Sequence, residues 1–242
     1  MSVDESLTAP HASRFTPQAA LKLGRFSLSL ERPLIMGIVN ITPDSFSDGG
    51  RFFDCARALD HARQLLEEGA DILDIGGESS RPGAQPVAAD EELRRVLPVL
   101  EKLVELPVPV SVDTSKPEVM RRAIAAGASM INDIAALREE GALDAVSTST
   151  VAVCLMHMQG EPRTMQQAPQ YRDVVGQVET FLANRAAAAV AAGVERNRIV
   201  LDPGFGFGKT PQHNLELIRA LPRLRKIGVS AARRSVAQGA IR

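Results

Sequence analysis

The chain has 242 residues, 45% of them hydrophobic and 24% charged, with a formal net charge of −1. That length suits one large domain, and the near-zero charge excludes a dedicated polyanion-binding surface, so no nucleic-acid partner is expected. Two cysteines, Cys55 and Cys154, make no disulfide framework, and no apolar run reaches the roughly 18 residues that span a bilayer.

The N-terminus, MSVDESLTAPHASRFTPQ, has early acidic residues and no apolar core, so it is no secretory signal. The expectation is a cytoplasmic protein with no membrane partner. Residues 1–24 are polar and small and read as a flexible tail; residues 25–242 read as a single domain. FSLSLER (26–32) suggests a short extra strand or hairpin. Six apolar runs follow: LIMGIVN (34–40), DILDIGG (71–77), VPVSVD (108–113), MINDI (130–134), VAVCLMH (151–157) and IVLDPG (199–204). Continuous Val/Ile/Leu runs of this length fit strands buried on both faces, as in parallel sheets.

Helical segments fill the intervals. Cys55 falls on the first of them. Leu93, Val96, Leu97, Leu100, Leu103 and Val104 follow helical spacing, with Asp90 a candidate cap. Ser115-Lys116-Pro117-Glu118 reads as a capping box with proline near the first helical position, and Thr210-Pro211 starts a later helix in the same way. Val174, Val175, Val178, Phe181 and Leu182 mark a long helix that ends at Gly193. Gly69 and Gly127 each stand just before a new strand, and this repeated unit predicts a (β/α)8 TIM barrel rather than a doubly wound sheet. Polar residues close nearly every strand, not just two beside one crevice.

Chemistry in a barrel sits at the C-terminal strand ends. Those ends carry Asn40, Asp74, Glu78, Asp113, Asn132, Asp133, His157 and Asp202. Asp113, Asn132 and Asp202 each follow a buried run directly, and a heterocycle bearing several N–H donors would satisfy them; the alternative is that they cap helices or bond loop amides. Two Ser/Gly/Pro-rich loops, 40–50 and 76–84, are long enough to carry function, and Arg81 is the natural anion ligand of the second. His157 reads as structural, Cys154 as core, and Met156 as either a pocket wall or core.

DPGFGFGKT (202–210) ends like a nucleotide-binding loop, but the pattern requires glycine at 203, where Pro203 stands. Gly204, Gly206 and Gly208 alternate strictly, so the dinucleotide pattern fails as well. What remains is a strand-to-helix turn carrying Phe205 and Phe207, one of which could cover a flat ligand whose polar edge bonds Asp202.

The stretches MGIVNITPDSFSDGG (36–50), DIGGESSRPGA (74–84), VSVDTSKP (110–117), INDI (131–134), LMHMQGEPRTMQ (155–166) and LDPGFGFGKT (201–210) together resemble bacterial dihydropteroate synthase. The resemblance implies a barrel that joins a pterin to p-aminobenzoate in folate synthesis. In that reaction 6-hydroxymethyl-7,8-dihydropterin pyrophosphate loses pyrophosphate with Mg²⁺ assistance. It implies Asn40 as the Mg²⁺ ligand, and Asn40, Asp113 and Arg81 as catalytic residues. Asp113, Asn132, Asp202, Met156 and Phe207 would form the pterin site. Phe46, Ser80, Arg81 and Pro82 would lie in loops that close over p-aminobenzoate, the group sulfonamides mimic. Ser80 stands where the family more often has threonine, and Lys209 reads as a helix-start residue. The partners implied are the two small-molecule substrates and, for a complete barrel, a second copy in a homodimer.

The resemblance weakens from about residue 223. IGVS (227–230) stands for a seventh strand, but the Ser-Arg-Lys that should end it is out of register, and no eighth strand with its arginine and histidine follows. Residues 223–242 hold six basic groups and no acidic one. The expectation is therefore an incomplete barrel of six clear strands and a doubtful seventh, poorly stable alone, completed by a partner or truncated. An inactive pterin-binding paralogue is the alternative function, and a pterin-binding methyltransferase domain the third; TPDSF and ESSRPG favour the synthase.

Overall fold

The computed structural model describes residues 20–41, 51–79, 85–162, 164–227 and 230–231. Their order is a hairpin, β1 (Ala20–Leu23) and β2 (Phe26–Ser29), then β3 (Met36–Asn40), α1 (Arg51–Glu67), β4 (Ile72–Gly76), α2 (Ala89–Leu103), β5 (Val110–Asp113) and α3 (Pro117–Ala125). There follow β6 (Met130–Asp133), α4 (Ala142–Ser147), β7 (Ala152–Met156), α5 (Val174–Ala191), β8 (Ile199–Asp202), α6 (Pro211–Leu224) and β9 (Ser230–Ala231). Strands β3 to β9 form one parallel sheet in sequence order. All six strands expected from apolar runs are present; the seventh, expected over 227–230, is instead the two-residue β9, and Ile227 lies in a preceding 3-10 turn. No helix among the described residues is long and apolar enough to cross a membrane.

Side chains alternate across a strand, and residues in register on parallel neighbours share a face. Val39, Leu73, Ile75, Val110, Val112, Ile131, Val153, Leu155, Ile199 and Leu201 occupy one face and pack with Val96 and Leu100 of α2, Met120 of α3, Val178 and Leu182 of α5 and Leu217 of α6. The opposite face begins with Ile72, Met130, Ala152, Cys154 and Val200, which cluster with Leu21 and Leu23 of the hairpin. One hairpin meeting four strands requires the sheet to curl round it, as a partial (β/α)8 barrel does. The hairpin plugs the N-terminal end and leaves the C-terminal strand ends for the site.

Several local expectations shift. Ala20–Leu23, assigned to the tail, is the first strand, held by pairing with β2. Asp90 is not a cap: the N-cap is Ala88, two residues earlier, and Asp90, Glu91 and Glu92 lie in the first turn at the positive end of the helix instead. Ser115 caps nothing, because Pro117 is the first helical residue and Lys116 the N-cap. The Lys116 side chain is drawn away to Glu78 and the buried Glu92. Thr210 does cap α6, reciprocally with His213, and Gly69, Gly127 and Gly193 end their helices at φ +99°, +101° and +104°.

Leu23 is fully buried between the hairpin and the sheet. Leu23→Ala is expected to lower unfolding free energy by about 2–5 kcal/mol, measured by urea denaturation.

Candidate functional site

The inward face turns from apolar to polar along each strand. Asn40 pairs in register with Gly76, Gly76 with Asp113, Asp113 with Asn132, and Met156 with Asp202. Asn132 pairs with Cys154, two residues before Met156, so all five of the expected strand-borne site residues point inward. Asn132 and Asp202 are buried, Met156 fully so; Asp113 is half-buried and Asn40 exposed. Asn132 Nδ2 donates to Asp74 Oδ2 at 2.9 Å. The Gly204 amide donates to Asp202 Oδ1 at 2.7 Å.

Two strand-end residues on the sequence list do other work. Asp133 lies on the outward face and accepts the amides of Ala135 and Leu137, both at 2.7 Å, which holds a tight turn; burial pushes its carboxyl up to about 6. Glu78 is engaged by Lys116. Phe46, Ser80, Arg81 and Pro82 lie outside the described residues, so nothing in the geometry bears on them.

The glycine-rich turn is built against the end of β7. A Cβ on Gly204, at φ +67°, would stand 2.0 Å from the His157 carbonyl oxygen, and one on Gly208, at φ +61°, 2.5 Å from that of Gln159. Glycine lets two backbones touch there. Phe207 packs against a small apolar cluster of Met156, Met158 and Met165, so Met156 and Phe207 do share a wall.

Sequence reasoning missed Lys209. It directly precedes the α6 N-cap Thr210, as a helix-start residue would, but its side chain is only 3% exposed. Its Nζ donates to the carbonyls of His157, Gly204 and Phe207 at 3.1, 2.9 and 2.9 Å and lies 3.1 Å from His157 Nδ1. Three carbonyl acceptors match an ammonium's three donors. Burial pushes it down to about 7, against the pull of the Asp202 carboxylate. Burial, and then the Lys209 charge, push His157 down to about 3. Its ring meets Phe181 edge-on at 4.9 Å, which bears out a structural histidine. The only sequence signal was the pair of a histidine at a strand end and a lysine after glycine.

What the arrangement offers is a layer of hydrogen-bond acceptors from three strands beside an apolar wall. Such a layer suits a flat heterocycle with a donor-rich edge. Asn40 at its rim is a hard oxygen donor, which fits Mg²⁺: that ion takes one or two protein oxygens and fills its shell with water and phosphate.

The model of the family described as pterin binding enzyme matches residues 36–238. The dihydropteroate synthase of Neisseria meningitidis serogroup C is 55% identical over 204 residues, covering 83% of this chain and 72% of the relative. A solved Xanthomonas albilineans dihydropteroate synthase in complex with 7,8-dihydropteroate superposes with a TM-score of 0.78 at 52% identity, over 88% of this chain and 76% of that one. The Yersinia pestis enzyme with a sulfonamide drug complex gives 0.82 at 47%, over 88% and 78%.

Because His157 is neutral in the fold and its ordinary value is 6.5, its stabilising contribution is fully present above that pH and is lost as pH falls toward about 3. A ¹⁵N NMR titration is expected to show its ring unprotonated from about pH 7.5 to 4.5. In Lys209→Met, removal of the ammonium is expected to move its midpoint upward.

Proposed function

The chain belongs to the pterin-binding enzyme family, with dihydropteroate synthases as its relatives, and from that premise we propose how its residues carry the reaction. The reaction condenses 6-hydroxymethyl-7,8-dihydropterin pyrophosphate with p-aminobenzoate to give 7,8-dihydropteroate and pyrophosphate. The observation that supports it best is the inward layer of Asp113, Asn132 and Asp202 beside the Met156–Phe207 wall. The pterin edge presents amino and ring N–H donors, and buried acceptors recognise such an edge strongly because any analogue lacking a donor leaves them unpaired.

With the ring held, its methylene carbon projects toward the open strand ends. The aryl amine nitrogen attacks that carbon with its lone pair, the C–O bond breaks with its pair passing to pyrophosphate, and the amine gives up one proton. A weakly basic amine needs placement more than a strong base, and a recess walled by side chains supplies placement. Mg²⁺, when bound, neutralises charge on the leaving group, with Asn40 the residue that would hold it. Phe46, Ser80, Arg81 and Pro82 are assigned to p-aminobenzoate and the leaving anion by their sequence motifs alone. On this reading the protein works in the cytoplasm, as a homodimer.

Supplied with both substrates and Mg²⁺, the purified chain is expected to form dihydropteroate, followed by chromatography. Asp202→Ala is expected to lower kcat/KM by about ten- to a hundredfold, the loss of hydrogen bonds to a charged acceptor. Pterin binding without product would overturn the synthase reading in favour of a pterin-binding protein without turnover.

A further inference from the structure

Asp74 belongs to none of the roles above, yet it is 1% exposed and lies on the inward face of β4, one layer below the acceptors. Its register partner is Ser111 of β5, while Asp113 and Asn132 occupy the next layer toward the open end. Asn132 reaches down and donates its Nδ2 to Asp74 Oδ2 at 2.9 Å. A carboxylate only accepts, so the nitrogen arm of the Asn132 carboxamide is the arm that meets it. The two arms of a carboxamide diverge, so the oxygen arm is turned away from Asp74.

We propose that Asp74 is a positioning residue that orients the Asn132 carboxamide, so that the recess presents Asn132 Oδ1 as an acceptor and selects ligands whose edge carries only donors there. The inference rests on the pterin reading above. Asparagine is ambivalent: unheld, its carboxamide can turn and offer two N–H groups to the same ligand edge. Opposed donors then replace a hydrogen bond. Asp74 removes that ambiguity without touching the ligand, and thereby makes Asn132 act with Asp113 and Asp202 as a set of acceptors. The bond to the amide offsets part of the cost of burying the carboxylate.

The test exchanges the two groups. In Asp74→Asn the new carboxamide can donate to Asn132 Oδ1 and turn the side chain over. Affinity for 6-hydroxymethylpterin, measured by calorimetry, is expected to fall about ten- to a hundredfold, with the melting temperature held close to that of the parent. Adding Asn132→Asp restores an acceptor on both arms, and affinity is expected to recover to within about threefold of the parent, by the same arithmetic. An Asp74→Asn protein that binds as tightly as the parent overturns the proposal, as does a double variant that melts normally and binds no better than the single one. A parent chain that binds no pterin overturns the pterin reading instead. The orientation is then decided by exchange of the Asn132 side-chain amide protons in the free protein. Protection that is lost in Asp74→Ala supports it, and rapid exchange in the parent overturns it.

Discussion

The structure depends on one constraint: a parallel sheet buried on both faces must give each face a partner, and the period of two decides which residues go where. Outward positions such as Leu73, Ile75, Val110, Val112, Val153 and Leu201 meet the helices. Inward positions have no helix to meet. At the N-terminal end the β1–β2 hairpin fills that need with Leu21 and Leu23. Toward the C-terminal end the inward residues are mostly hydrogen-bond acceptors, set beside Met156 and its neighbours Met158, Met165 and Phe207.

The strands were legible in the sequence because Val/Ile/Leu runs of four to seven residues leave little else for the chain to do. The faces were not. Where both faces are buried the alternation of polarity vanishes, so nothing in INDI separates Asn132, which points inward, from Asp133, which points outward and ties a turn. Only the register to Asp113 separates them. The first strand of the hairpin escaped for the opposite reason: ALKL is too short to declare itself without β2 beside it. Helix starts shifted by two residues at α2 and by one at α3, and with them Asp90 and Ser115 lost their capping roles, since a cap depends on one residue of register.

Asp113, Asn132, Met156, Asp202 and Phe207 were nameable because each follows an apolar run or sits in a glycine-rich turn, and a resemblance tied them together. Lys209 was hidden because its partners are a strand end 52 residues away and the carbonyls of a turn whose path the sequence does not fix. Asp74 was visible as a polar strand residue, but its bond to Asn132 spans 58 residues. Local pattern finds residues that touch a ligand more readily than residues that hold those residues still.

The lysine at the foot of the glycine-rich turn has a consequence for inhibitor design. Peeling that turn from β7 would strand an ammonium in a poorly solvated interior while three carbonyls lose their donor. The aromatic wall is thus preformed before any ligand arrives. On the pterin reading proposed above, compounds that dock against this wall forfeit little chain entropy on association, and their residence times follow from contact quality.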